Sequence, residues 1–144
     1  MNNNFMKSAY EEAIKAYEEN EVPVGAVIVH NGEIIGKAHN IKNTTQDIFD
    51  HAEIIAIKEA SKKINDWRLF DCEMYVTLEP CPMCAGAIVQ SRIKKVYIGT
   101  SSSNNGNIIK QIFSQNDCNH VVEFDYLNDI NCSKILSNFF EQKR

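Results

Sequence analysis

A histidine, a glutamate and two cysteines are the residues of this sequence best suited to chemistry. His51 and Glu53 lie in the segment HAE, and Cys81 and Cys84 lie in the segment PCPMC. Imidazole and thiolate groups are common ligands of Zn²⁺, and three protein ligands with an open fourth position are typical of catalytic zinc. We therefore predict one zinc ion per subunit, bound by His51, Cys81 and Cys84. Glu53 would transfer protons at the open position.

The spacing of the two cysteines predicts a helix that begins beside them. Cys81 and Cys84 are three residues apart, so on a helix both thiols share one face. Pro80 and Pro82 suit positions just before and inside the first helical turn. The positive end of the helix dipole favours thiolates, which are the form that zinc binds.

Each half of this pattern also has an ordinary explanation. Asp50 and Glu53 have the spacing of a helix N-terminal capping box, and a lone C-x-x-C pair is also typical of a redox site. The order H-x-E followed by P-C-x-x-C, with both prolines, favours zinc and matches the signature of zinc deaminases. Capping and proton transfer by Glu53 do not exclude each other. A purely structural zinc site would need a fourth ligand, and neither His39 nor Cys72 has convincing spacing.

Length, composition and charge set broad limits. The chain has 144 residues, 44% of them hydrophobic and 24% charged, so we expect a single globular domain over residues 1–144. No apolar segment is long enough for a membrane span, and the N-terminus lacks the pattern of a secretory signal. Five cysteines without framework spacing favour a reducing cytoplasmic location. The net charge of −4 argues against a general nucleic-acid-binding protein but allows a local basic patch.

Hydrophobic periodicity predicts alternating helices and strands. The Asn31-Gly32 pair between two β-rich segments indicates a hairpin. We expect a loop over residues 41–49 that forms a wall of the active site, and a flexible loop over residues 100–107. This order predicts a mixed sheet with helices on both faces and a site at the carboxyl ends of strands. The predicted helices cover about residues 6–19, 50–64, 108–113 and 127–142, and a further helix begins beside Cys81 and continues through the apolar residues 85–89. The predicted strands cover residues 24–29, 33–38, 73–78, 95–99 and 121–124.

Several segments together resemble the bacterial tRNA-specific adenosine deaminases of the cytidine deaminase superfamily. The resemblance implies a three-layer α/β/α sandwich around a mixed five-stranded sheet. It implies hydrolytic conversion of the wobble adenosine of an arginine tRNA anticodon loop to inosine, by a homodimer that contacts the RNA with both subunits. In that family pattern, Asn40 hydrogen-bonds the purine and the backbone of Ala52 helps to hold it. The resembling segments are VPVGAV at 22–27, HN at 39–40, HAEI at 51–54, YVTLEPCPMCAGA at 75–87, SRI at 91–93 and FF at 139–140.

Two loops depart from the family pattern. The family usually has an aspartate and a lysine that contact RNA after the fourth strand, where this chain has SSSNN at 101–105. Just before His51 the family usually has Asp-Pro-Thr-Ala, and this chain has DIFD at 47–50. Because both loops bear on the substrate, the alternative to a tRNA substrate is a free nucleobase or nucleoside of the guanine or cytosine type. A structural zinc module is the third interpretation.

Surface residues supply two further expectations. We expect Trp67 and the apolar helix after Cys84 to contribute to the dimer surface. We expect a local basic patch to hold the RNA despite the net negative charge, because its members group into short clusters. The expected members are Lys62, Lys63, Arg92, Lys94, Lys95, Lys143 and Arg144.

Overall fold

A mixed five-stranded sheet forms the centre of the computed structural model, which describes residues 2–102, 106–115 and 119–142. The strands lie in the order β2-β1-β3-β4-β5. Their bounds are β1 Gly25–His30, β2 Glu33–His39, β3 Cys72–Leu78, β4 Lys95–Thr100 and β5 Glu123–Tyr126. The helices are α1 Asn2–Glu18, α2 Lys42–Thr45, α3 Ala52–Ile64, α4 Pro82–Gln90, α5 Gly106–Ser114 and α6 Ile130–Gln142.

The strand directions bring four strand ends to one edge. Strand β1 is antiparallel to both β2 and β3, whereas β3, β4 and β5 are parallel to one another. The carboxyl ends of β2, β3, β4 and β5 therefore share one edge of the sheet, and β1 begins there. In open α/β sheets this edge is where ligands bind.

The hairpin between β1 and β2 forms at the predicted residues. Asn31 has φ 52° and Gly32 has φ 78°, so both central residues adopt the left-handed conformation. This is the backbone of a two-residue hairpin turn whose twist matches the flanking strands.

Helices cover both faces of the sheet, which confirms the predicted three-layer sandwich. Helices α1 and α6 pack on one face, and α3, α4 and α5 on the other. The alternation of side chains along β1 explains the two cores, because Ala26 and Ile28 point to one face while Val27 and Val29 point to the other. Gly25 permits a close approach of α1, since an added Cβ there would lie 2.6 Å from the Ala13 amide nitrogen.

Several predicted boundaries were wrong. The expected loop over residues 41–49 contains the short helix α2, whose amides are capped from outside the segment by Glu21. Strand β5 begins at Glu123 rather than at residue 121, and α6 begins at Ile130 rather than at residue 127. Asp129 sets the start of α6, because its carboxylate accepts the amides of Asn131 and Cys132 at 2.9 and 3.3 Å.

The other differences are small. Helix α1 begins at Asn2, and α5 begins at Gly106 inside the predicted flexible loop, of which residues 103–105 lie outside the described residues. Within the described residues, no helix has both the length and the apolar character of a membrane span.

Candidate metal centre and active site

His51, Cys81 and Cys84 come together at the carboxyl edge of the sheet. The Nδ1 atom of His51 lies 3.7 Å from the Cys81 Sγ and 3.4 Å from the Cys84 Sγ. The side-chain nitrogen and sulfur atoms that could bind a metal all lie within 4.8 Å of one another. Within the described residues, His51, Cys81 and Cys84 form the group that could hold a metal ion. The structure thus gathers side chains from two distant parts of the sequence into one cluster.

Two helix N-termini position these ligands. His51 is the N-cap residue of α3, Cys81 is the N-cap residue of α4, and Pro82 occupies the first turn of α4. Cys84 lies one turn along α4 and is buried. The predicted helix that begins beside the cysteines is therefore present, and both thiols lie near its positive end.

The donor set and its spacing fit a tetrahedral zinc ion. Zinc–sulfur and zinc–nitrogen bonds at tetrahedral angles place a sulfur and a nitrogen ligand about 3.6 Å apart. The observed distances of 3.4 and 3.7 Å from the His51 Nδ1 atom to the two Sγ atoms lie on either side of this value. Three ligands of this type leave a fourth position open.

The two thiols differ in their proton affinity. The hydrogen bond from Cys84 lowers the pKa of Cys81 to about 4, even though burial acts in the opposite direction. The same hydrogen bond and burial raise the pKa of Cys84. The hydrogen bond between His51 and Cys81 raises the pKa of His51, although burial of the imidazole acts in the opposite direction. Zinc binds thiolates, so a bound metal ion would displace the proton that Cys84 holds.

Glu53 lies beside the cluster in the first turn of α3, and its side chain is only 4% exposed. Burial raises the pKa of Glu53 to about 7, and the negative charge of Cys81 adds to this effect. A carboxyl group with a pKa near neutrality can both accept and donate a proton at physiological pH. The capping alternative does not hold for Asp50, because its carboxylate accepts the Thr45 hydroxyl at 2.7 Å and His51 is the N-cap residue.

A pocket with a volume of about 170 Å³ opens beside these residues. Asn40 and Ala52 both line it and are both buried. The Asn40 side chain is held at one end by the Lys42 amide, which donates to its Oδ1 atom at 3.3 Å. The pocket lining consists of Val22, Val24, Asn40, Lys42, His51, Ala52, Glu53, Leu78, Glu79, Cys81 and Ser102.

Two buried acids, which the motifs did not reveal, hold the walls of this pocket. Glu21 is 0% exposed and accepts the amides of Asn43 and Thr44 at 3.0 and 2.6 Å, and the Thr44 hydroxyl at 2.6 Å. Glu79 is 2% exposed, and its carboxylate accepts hydrogen bonds from the Ser102 amide and the Tyr126 hydroxyl on the other side of the pocket. A glutamate in a sequence ordinarily indicates a surface residue, so only the fold identifies these two.

His39 and Cys72, whose spacing argued against a fourth ligand, lie in other surroundings. His39 lies between two carboxylates, with Glu12 and Glu19 each 3.0 Å from one of its ring nitrogens. Cys72 is a buried free thiol, and burial raises its pKa to about 11. Within the described residues, neither belongs to the group of His51, Cys81 and Cys84 that could hold a metal ion.

Among the expected basic residues, Lys62 and Arg92 lie beside Trp67. Lys94 and Lys95 lie at the start of β4, about 16 Å from its carboxyl end. Lys95 pairs with the Asp125 carboxylate at 2.8 Å. Trp67 is 58% exposed, with the Arg92 guanidinium 5.4 Å from its ring centre. Lys143 and Arg144 lie outside the described residues.

Comparison with known proteins places this fold and site in a wider group. The five-stranded sheet between helical layers, with its histidine and two cysteines at the carboxyl edge, defines a cytidine deaminase-like protein. A sequence model of the MafB19-like deaminases matches residues 1–144. The chain is 45% identical over 143 residues to the tRNA-specific adenosine deaminase of Bacillus subtilis, covering 97% of this chain and 89% of the relative. The chain belongs to the MafB19-like deaminase family and to the tRNA-specific adenosine deaminases.

The solved structures that are similar to this chain include two that bear on its function. One comes from a study of A-to-I editing by tRNA:A34 deaminases at the wobble position of transfer RNA. It is 37% identical, with a TM-score of 0.86, and the match covers 93% of this chain and 99% of that one. The other is guanine deaminase from Bacillus subtilis, at 30% identity and a TM-score of 0.67, covering 98% and 92% of the two chains.

Proposed function

We propose that residues 1–144 form a single zinc-dependent hydrolase domain that converts adenosine to inosine at the wobble position of a tRNA anticodon loop. The observation that carries this proposal is the meeting of His51, Cys81 and Cys84 with the buried carboxyl group of Glu53 beside one pocket. The tRNA substrate is supported by the 45% identity to a relative named tRNA-specific adenosine deaminase. From the resemblance of the sequence motifs to the tRNA-specific adenosine deaminases, we propose that the tRNA is an arginine tRNA.

We propose that His51, Cys81 and Cys84 hold one zinc ion per subunit. Zinc in such a site lowers the pKa of water from about 15.7 towards about 7, which makes a nucleophile available near neutral pH. Glu53 takes one proton from the attacking water and transfers it to a ring nitrogen of the base. It then takes the proton of the hydroxyl group now bonded to the base carbon and gives it to the exocyclic amine, which leaves as ammonia. Burial of Glu53, which raises the pKa of its carboxyl group, suits a group that accepts and then donates a proton.

The pocket suits a single unstacked base. The apolar part of the pocket wall consists of Val22, Val24 and Leu78. Hydrogen-bonding groups come from the Asn40 side chain and the backbone of Ala52. An enzyme that acts on a base must remove that base from its stack, and an unpaired anticodon loop makes this removal inexpensive. We therefore assign Asn40 and Ala52 to substrate binding.

The second candidate function is deamination of a free base or nucleoside. Three observations favour it: the net charge of −4, the uncharged residues Ser101 and Ser102 where the family pattern has charge, and the similarity to guanine deaminase from Bacillus subtilis. The first function has the higher identity and the higher TM-score in its support.

Parallel assays distinguish the two functions. Purified protein is given an arginine-tRNA anticodon stem-loop, and separately free adenosine, guanine and cytosine. We expect inosine in the stem-loop and no conversion of the free compounds. Conversion of a free base with no reaction on the stem-loop would replace the tRNA function with the second one.

We further propose a cytoplasmic homodimer. The free thiols among the described cysteines suit a reducing compartment, and the exposed Trp67 and Phe70 offer apolar area beside β3 for contact between subunits. Light scattering at micromolar concentration should give twice the mass of 16.4 kDa. A monomer mass at that concentration would contradict the dimer.

A further inference from the structure

Glu79 is a buried carboxylate on the wall of the pocket. It is the first residue after β3, directly before Pro80 and Cys81, and it is 2% exposed. Its Oε1 atom accepts the Ser102 amide at 2.7 Å, and its Oε2 atom accepts the Tyr126 hydroxyl at 2.6 Å. Distances this short are typical of hydrogen bonds to a charged acceptor. Each oxygen of the Glu79 carboxylate therefore already accepts a hydrogen bond from another residue of the protein.

These contacts connect the ends of three neighbouring parallel strands. Glu79 follows β3, Ser102 lies just beyond β4, and Tyr126 is the last residue of β5. The backbone amide of Glu79 also donates to the Thr100 carbonyl at 3.0 Å. The segment after β4 is thus held by both the backbone and the side chain of one residue. Because Glu79 and Ser102 both line the pocket, this attachment sets the position of that wall.

Burial of the Glu79 carboxylate costs free energy of folding, which indicates that this residue has a role other than packing. Burying a carboxylate without a cationic partner is unfavourable, and an apolar residue of similar volume is often as stable or more stable. The ion pairs found among the described residues do not include Glu79. Burial and the Glu79 contact raise the pKa of Tyr126 to about 12, so its hydroxyl remains a donor through the neutral range.

We propose that Glu79 is a positioning residue that fixes the Ser102 wall of the pocket and thereby determines how tightly the RNA substrate is held. This inference rests on the proposed function. Glu79 itself transfers no proton and binds no metal. Its loss should weaken binding in the ground state and the transition state alike, which raises KM and leaves kcat nearly unchanged.

The test compares four variants on the anticodon stem-loop. Glu79→Leu keeps the volume and removes both acceptors, whereas Glu79→Gln keeps an acceptor for the Ser102 amide. Tyr126→Phe removes a single hydroxyl, and Glu73→Leu at the other end of β3 is the matched control. For Glu79→Leu we expect KM to rise by about tenfold with kcat changed by less than about threefold. Glu79→Gln should restore most of the loss, Tyr126→Phe should lie between, and Glu73→Leu should match the wild type.

Two further measurements separate positioning from a general loss of structure. Metal analysis should give the wild-type zinc content for each variant. Anisotropy titration of labelled stem-loop, in a Glu53→Ala background that cannot turn over, should show the same tenfold loss of affinity for Glu79→Leu. A fall in kcat at constant KM, or an unchanged affinity, would overturn the inference. If Glu79→Leu does not fold, Glu79→Gln and Tyr126→Phe carry the test, and an unchanged KM in both overturns it.

The outcome for Glu79 is separable from the outcome for the proposed function. A wild-type protein that does not deaminate the stem-loop contradicts the proposed function. The same variants are then compared on whichever free base the wild type converts, where an unchanged KM for Glu79→Leu contradicts the positioning role independently.

Discussion

His51 and Cys81 occupy equivalent positions, each immediately before the first turn of a helix. Neither side chain makes a capping hydrogen bond to its own helix. An N-cap side chain normally accepts hydrogen bonds from the free amides in the first turn of its helix. The side chains of His51 and Cys81 do not, and they lie instead in the cluster that they form with Cys84. The ligand geometry is therefore a consequence of two helix starts that meet at one sheet edge.

Loss of Cys84 should remove the metal. Cys84→Ala deletes one of the three proposed ligands, and we expect the remaining two to hold zinc below the stoichiometric level. Metal analysis of the purified variant is the measurement, with Cys72→Ala as control because that buried thiol lies outside the cluster. Full zinc content in Cys84→Ala would show that the ligand assignment is wrong.

Replacement of Glu53 should abolish turnover while zinc and fold are retained. Glu53→Ala removes the group assigned to both proton transfers, and each general acid–base step contributes about 10²–10⁴-fold. Single-turnover deamination of the stem-loop should therefore fall by at least about 10²-fold. Glu59→Ala, an exposed acid on the same helix, should react at the wild-type rate. Near-normal deamination by Glu53→Ala would remove Glu53 from the mechanism.

The residues that sequence reasoning could identify are those whose spacing has a chemical meaning. The ligands and Glu53 belong to a short motif, and the structure brings all of them together. Glu21 and Glu79 carry no such spacing, because their partners are backbone amides that the fold brings near from residues 43, 44 and 102. Burial of these acids depends on tertiary structure and leaves no local signal.

At the scale of elements, the wall formed by α2 depends on Glu21. This helix has only four residues, too few to be stable alone. Two of its amides and one hydroxyl bind to the Glu21 carboxylate, which comes from the turn after α1. Although burial acts in the opposite direction, these hydrogen bonds lower the pKa of Glu21 below its ordinary value.

Glu21→Gln should destabilise the fold in a pH-dependent way. A carboxyl group whose pKa is lowered by folding stabilises the protein above its ordinary pKa, and this contribution is lost as the pH falls through the lowered value. We expect a loss of about 1–3 kcal/mol at pH 7, and convergence with the wild type well below pH 4.5. Urea unfolding at several pH values measures it, with the exposed Glu18→Gln as control. A difference that grows towards low pH would contradict the argument.

The order and type of the long elements could be predicted because their periodicity is strong, whereas some ends could not. Helix α6 starts where the Asp129 carboxylate caps it, although apolar Leu127 extends the helical pattern towards the N-terminus. Leu127 instead packs against the core beside Tyr97 before the helix begins. The sheet order also depends on pairing between distant strands, which local pattern does not specify.

At the scale of the whole molecule, the pocket carries a cation that the predicted basic patch did not include. Lys42 lines the pocket at the start of α2. Lys95 begins β4, and Lys94 precedes it, at the opposite end of that strand from the pocket. We expect RNA that places a base in the pocket to pass a phosphate near Lys42. The position of this lysine therefore suits a phosphate contact in a chain whose net charge is −4.

Binding of the anticodon stem-loop should weaken with salt, and Lys42 should account for part of this dependence. Each phosphate contact to single-stranded RNA contributes a slope of about −0.7 to the plot of log affinity against log salt concentration. Lys42→Ala should make the slope shallower by about 0.7 and lower the affinity at low salt. The titration uses the Glu53→Ala background so that the RNA is not converted. Lys7→Ala is the control, because Lys7 lies about 16 Å along α1 from the end nearest the pocket. An identical slope for Lys42→Ala and the parent protein would mean that the RNA backbone does not approach this wall.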